Sequence, residues 1–263
     1  MKNSYRGFFV LFLFLIFGCG PQAPESVAED TAVQAPAAQQ SSQTAAPAAG
    51  AEIASITGQI LFEGTAPPQT ELQMDGNPEC RALHPSGKIL GGDVLVADGK
   101  VQNAFVYIKE GLEGKTFEPP QAPVVIDNNT CVYKPHVSGA MVHQPIELRN
   151  SDPTLHNIHA YPAKEKQWNL GLPFQGMKVV KKFSEPEVMV KLKCDVHPWM
   201  VGYLGVLPHP FFAITGRDGR FELKNLPAGS YTVHVWYERF GVESQAVQVA
   251  DGEMKEISLT LKA

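Results

Sequence analysis

Apolar and polar residues alternate with a period of two along most of the last fifth of the chain. Phe221 and Leu223 form the first apolar set, then Tyr231, Val233, Val235 and Tyr237, then Val247 and Val249, then Ile257, Leu259 and Leu261. Successive side chains of a strand point to opposite faces, so each run predicts a strand with one face buried. Asp218-Gly219, Pro227-Ala228-Gly229 and Asp251-Gly252 separate the runs and suit hairpins and tight connections. Further upstream, Ile56 to Phe62 reads as a strand closed by Gly64 and Pro67-Pro68, with other strand-like runs at 101–109, 123–126 and 145–149. In the 101–109 run, Phe105 and Tyr107 lie on one side and Val106 and Ile108 on the other, which predicts burial on both faces. Val188, Val190 and Leu192 alternate with Met189, Lys191 and Lys193, and a further strand is expected at 201–207. Residues 164–176 read as a loop anchored by Trp168, Leu170, Leu172 and Phe174. Helical periodicity is not evident, and the expected class is an all-β sandwich.

The N-terminal pattern is different. Lys2 and Arg6 precede an unbroken apolar run of ten residues, Phe8 to Phe17, where a bilayer crossing needs about 20. The run therefore reads as a signal peptide, residues 1–18. Its end, Leu15-Ile16-Phe17-Gly18-Cys19, resembles the lipobox of bacterial lipoproteins, with Phe17 as the departure. That resemblance implies a lipidated Cys19. Gly20 in place of an acidic residue favours, by analogy with bacterial sorting, the periplasmic face of the outer membrane. Residues 19–52 are rich in Ala, Pro, Gln, Ser and Thr, too poor in large apolar groups to offset ordering entropy, and read as a tether. A coil of that length spans roughly 30 Å root-mean-square.

Composition narrows the function classes. The chain has 263 residues, 44% of them hydrophobic, and a formal net charge of -5 from 22 basic and 27 acidic residues. That balance carries no nucleic-acid footprint. Neither a phosphate-cradling Gly-rich loop nor a hydrolase-like Ser/His/Asp order is present.

The candidate chemistry lies between Val190 and Gly202. Cys194, His197 and Met200 offer a thiolate, an imidazole and a thioether at three-residue spacings. Copper sites that exchange electrons use two imidazoles and a thiolate with a weak axial thioether. One imidazole must then come from elsewhere. Zinc makes little use of a thioether, and the Cys-x-x-Cys spacings of c-type haem and thioredoxin-like sites do not occur. Taken singly, each residue also has a structural reading: Cys194 as half a disulfide, His197 as a polar loop residue, Met200 as core.

With His156-Asn157 upstream, the Cys194-x-x-His197-x-x-Met200 spacing resembles the cupredoxins, in particular the short amicyanin-type loop. The resemblance implies a Greek-key β-sandwich over 53–210 and one type 1 copper held by His156, Cys194, His197 and Met200. It also implies that His197 sits near the surface as the electron path, with a redox partner docking around Pro198 and Trp199. Asn157 would tie the two ligand segments together by hydrogen bonds. His156 and His159 are three apart and face opposite ways on a strand; His156 is favoured, and His159 stays open as the alternative. His84, His136, His143 and His209 read as polar loop residues.

Four cysteines occur. With Cys19 lipidated and Cys194 a copper thiolate, as the two resemblances imply, Cys80 and Cys131 are expected to pair in an oxidising compartment. The competing pairing joins Cys194 to one of them and abolishes the site. Residues 211–263 resemble the carboxypeptidase regulatory-like and starch-binding-like modules, small prealbumin-like β-sandwiches. About 50 residues rarely stabilise a core alone, so this module is expected to pack on the rest and to borrow the 56–62 strand. Trp236 and Tyr237 read either as core or as a sugar-stacking platform. The combined expectation is a lipid-anchored electron carrier of the bacterial cell envelope, not an enzyme, whose partner is a c-type cytochrome or a respiratory or oxidase complex. Two alternatives remain, a periplasmic copper buffer or donor and a metal-free module binding carbohydrate or envelope protein.

Overall fold

The computed structural model describes residues 53–85 and 89–263. The signal peptide, Cys19 and the 19–52 tether lie outside the described residues. Among the described residues, the chain order is β1 (Ala54–Glu63), α1 (Pro78–Ala82), β2 (Val96–Ala97), β3 (Lys100–Val101), β4 (Phe105–Glu110), β5 (Val124–Asn128), β6 (Tyr133–Lys134), β7 (Val137–Met141) and β8 (Ile146–Asn150). It continues with β9 (His156–Tyr161), β10 (Trp168–Leu172), β11 (Lys178–Lys181), β12 (Glu187–Lys193), β13 (Val201–Leu207), β14 (Phe212–Ile214), β15 (Arg220–Leu226), β16 (Gly229–Tyr237), β17 (Gly241–Val249) and β18 (Met254–Lys262). The class is all-β, as expected. Residues 164–176, expected as a loop, contain β10, because Trp168, Leu170 and Leu172 alternate with exposed Asn169 and Gly171 and the strand pairs with β9. The five-residue α1 is too short to show a period; its signals are Asn77 as N-cap and Pro78 in the first turn.

Four sheets form two sandwiches. In the first, β1 runs parallel to β18 and antiparallel to β15, in the same sheet as β3 and β2, and faces the sheet β14-β4-β16-β17. Ile56, Ile60, Val106, Ile108, Val233, Val235 and Leu259 fill the space between them. Strands from 54–110 are thus hydrogen-bonded to strands from 212–262. In the second, β10-β9-β12-β13-β7 faces β11-β8-β5-β6 around Ile126, Leu148, Ile158, Val190, Leu192 and Leu204.

The sandwiches stack back to back through β4, β7 and β13. Gly139 and Gly205 are paired across β7 and β13. A Cβ on Gly205 would lie 2.4 Å from Phe105, and one on Gly139 2.4 Å from Phe212. The missing side chains leave a bare platform on which the stacked Phe105 and Phe212 rings lie, beside Val137 and Leu207. β4 is buried on both faces, as its sequence predicts, with Phe105 and Tyr107 at this junction and Val106 and Ile108 in the first core. Trp236 packs against Tyr203 across the junction at 4.9 Å. Tyr237 points the other way into the first core and accepts from the Leu95 N–H at 2.7 Å.

Of the histidines expected in polar loops, His143 is exposed, His84 bonds the Thr130 carbonyl, and His136 bridges to Glu238 at 2.6 Å. His209 is buried. Its Nε2–H donates to the Ile108 carbonyl at 2.9 Å and its Nδ1 accepts from the Phe211 N–H at 3.2 Å. A second ring proton would meet that N–H head-on, and burial pushes the pKa down to about 4. The unfolded chain, with a pKa of about 6.5, takes up the proton first. His209 therefore favours folding fully above about pH 6.5, and stability falls as pH drops toward 4, by up to about 3 kcal/mol. Chemical denaturation of wild type and His209→Gln between pH 4 and 7.5 should show the variant less stable near neutrality, with the gap closing as pH falls. A constant gap would contradict this account.

Candidate metal centre

β12 delivers Cys194 to one end of the second sandwich, and β13 carries the chain away after Met200. The loop between them is closed by its own backbone, with Cys194 N–H donating to the Met200 carbonyl at 3.2 Å and Met200 N–H to the His197 carbonyl at 2.8 Å. β9, paired with β12, begins at His156 on the same end. His156 Nδ1 and His197 Nδ1 lie 2.9 Å apart, and Cys194 Sγ is 3.7 Å from His197 Nδ1. The three donor atoms lie within 4.8 Å of one another. His156 and His197 are 0% exposed and Cys194 is 1% exposed. Met200 is buried in the same core cluster.

Asn157 ties the two segments together. Its Oδ1 accepts from the Asp195 N–H at 2.8 Å and from the Cys194 thiol at 3.1 Å, while its Nδ2 reaches Asn169 and Asp195. His159 points away from the cluster and bonds Asp195 at 3.1 Å and Tyr161 at 2.9 Å. Burial raises the Asp195 pKa, but hydrogen bonds from His159 and Asn169 bring it below its ordinary value.

The outer nitrogens of both imidazoles are also engaged. His156 Nε2–H donates to Asp152 Oδ2 at 2.9 Å, and Asp152 is itself held by the Thr130 and Cys131 N–H groups. His197 Nε2 accepts from Asn77 Nδ2 at 2.8 Å, and Asn77 Oδ1 caps α1 by accepting from the Cys80 N–H at 3.0 Å. Cys80 and Cys131 form the expected disulfide. A line of hydrogen bonds therefore runs from Cys80 through both imidazoles to Cys131, and the disulfide joins its two ends. Cys194 stays out of that pairing as a free, buried thiol.

His197 departs from expectation. The resemblance implies a histidine near the surface, whereas this ring is fully covered, on one side by Asn77 and on another by Trp199 at 5.1 Å. Pro198 is exposed; Trp199 is half-buried, with its indole N–H on the Cys131 carbonyl.

Electrostatics prepares the thiol. Burial pushes the Cys194 pKa up, but hydrogen bonds involving His156, His197 and Asn157 outweigh it and bring the pKa to about 6. For Asp152 too, burial raises the pKa, and the bonds from His156 and the two backbone N–H groups take it below the usual carboxylate range. The donors turned inward are the His156 imidazole from β9 and the His197 imidazole and Cys194 sulfur from a loop that also carries a thioether. Asp152, the carboxylate that touches an imidazole of the cluster, is already bonded to three N–H groups. This soft set suits copper and offers little to calcium or magnesium.

Neither a family model nor a curated protein matches the chain. Among solved structures, a purple cupredoxin from Nitrosopumilus maritimus is similar over 32% of this chain and 98% of its own, at 25% identity and a TM-score of 0.27. A copper-containing nitrite reductase from Thermus scotoductus SA-01 matches 43% of this chain and 25% of its own, at 18% identity and a TM-score of 0.30. An oxidised amicyanin variant matches 38% of this chain and 97% of its own, at 17% identity and a TM-score of 0.30.

Proposed function

We propose that this chain is an electron carrier holding one type 1 copper with His156, Cys194, His197 and Met200. The observation that carries the proposal is the convergence of His156 Nδ1, His197 Nδ1 and Cys194 Sγ within 4.8 Å in a buried site. Copper bound there supplies one-electron chemistry between Cu(I) and Cu(II). The protein's part is to hold the donors still. Asp152 orients His156, Asn157 anchors the Cys194 segment to β9, and burial keeps water out. Such preorganisation limits rearrangement when charge changes. Four protein donors leave the site to electron exchange rather than to substrate. The proposal includes a lipid anchor at Cys19, the periplasmic face of the outer membrane, and a cytochrome or respiratory complex as partner, approaching over Pro198 and Trp199.

A second reading, a copper buffer or donor, is favoured by the complete cover over His197, which presents no imidazole edge to a partner. Slow electron self-exchange with ready copper transfer to a chelator would select it. For either reading the purified full chain, titrated with Cu(II), should bind one copper per chain. The carrier reading adds an intense visible absorption that bleaches on reduction. A colourless protein without stoichiometric copper overturns both.

A further inference from the structure

Asn77 touches the donor set from a part of the chain that no spacing connects to it. Its amide orientation is determined by two partners. Oδ1 accepts from the Cys80 N–H as the cap of α1, so Nδ2 must face His197 Nε2. Nδ2 is a donor only, and Nε2 must therefore accept. The neutral His197 ring then carries its hydrogen on Nδ1, in line with the 2.9 Å contact to His156 Nδ1, whose own ring carries its hydrogen toward Asp152.

A ring that gives its Nδ1 lone pair to a metal carries its hydrogen on Nε2, which then needs an acceptor. Asn77 presents the wrong end of its amide for that state. Its Oδ1 is the acceptor available at this contact, and it is committed to α1. The disulfide to Cys131 pins Cys80, so the cover cannot swing away, and the adjustment falls on the amide.

Resting on the copper reading, we infer that Asn77 is a positioning residue for His197 whose side-chain amide turns over when the donor set is engaged. It exchanges its cap on α1 for an acceptor contact to His197 Nε2–H. Metal occupancy is thereby coupled to the first turn of α1.

The test is nitrogen NMR at pH 8 on the full chain, metal-free and loaded with Cu(I), together with amide hydrogen exchange. Metal-free His197 should show its hydrogen on Nδ1; loaded His197 should show it on Nε2. Exchange at the Cys80 amide should rise about 5-fold on loading, the usual size of a lost cap, with Val233 in the first core unchanged. Asn77→Asp offers an oxygen to both donors at once and should raise Cu(I) affinity about 10-fold, while Asn77→Ala lowers it about 10-fold. A merely structural role predicts loss in both variants and unchanged exchange at the Cys80 amide on loading. Wild type that binds copper with unchanged Cys80 exchange overturns this inference alone. Wild type that binds no copper overturns the copper reading and this one with it.

Discussion

Replacing Cys194 with alanine should abolish the visible absorption expected of the copper-loaded protein and weaken copper binding by more than about 100-fold. Changes to outer groups that merely orient a ligand cost about 10 to 100-fold, and the thiolate is a donor itself. It is also the one donor of the set that binds a metal as an anion, and the hydrogen bonds around it lower its pKa to about 6, which favours loss of its proton to the metal. The fold should persist. Asn157 Oδ1 keeps the Asp195 N–H when the thiol is gone, and the backbone bonds that close the loop do not involve the side chain. Absorption spectra, copper stoichiometry and a denaturant melt on the same sample separate the two effects. A variant that keeps the band, or loses copper only by unfolding, would contradict the assignment of Cys194 as the thiolate donor.

Gly205→Val has its effect on stability, at the opposite face of the same strand pair. The new Cβ would lie 2.4 Å from the Phe105 ring, which is fully buried and stacked on Phe212 at 5.6 Å. A ring enclosed in this way has no free end to swing aside. Overpacking of a close-packed interior typically costs about 1 to 3 kcal/mol, occasionally more. We expect about 3 kcal/mol here, because the strain falls on β4 and β13 together. Phe105→Leu should recover part of the loss in the double variant, as contacting residues do not add. Urea melts of the single and double variants measure this. Wild-type stability in Gly205→Val would rule out the back-to-back packing.

The two sites differ in how far the sequence exposes them. β15, β16 and β18 are legible because each has one face in the first core and an apolar alternation to match, whereas β17 shows it only at Val247 and Val249, its first half being exposed. β7 is not, because Val137 to Met141 is buried on both sides and has glycine where a ring lies against it, which erases the period. β10 carries a legible alternation, obscured by the polar residues that flank it. His156, Asn157, Cys194, His197 and Met200 form two short local groups and could be recognised as such. Asn77 and Asp152 could not. Asn77 lies 120 residues from its partner His197, and no linear pattern encodes a side-chain hydrogen bond across that distance. Asp152, four residues before His156, was the nearer prospect, yet its place in a Ser-Asp-Pro turn gives it an ordinary structural reading. The burial of His197 was hidden for the same reason, since part of its cover is Asn77 from the 70–85 segment.

The order in which such a site can be completed follows from the way its outer bonds are strung. Asn77 and Asp152 support the two imidazoles from opposite directions, and each is held in turn by the backbone of a disulfide cysteine. A chain whose Cys80 and Cys131 are still thiols has the same donors but nothing covalent to keep their supports at a fixed separation. Maturation would then have two stages, oxidation first and metal second, and a chain retained where thiols stay reduced would present copper with a looser and less selective nest.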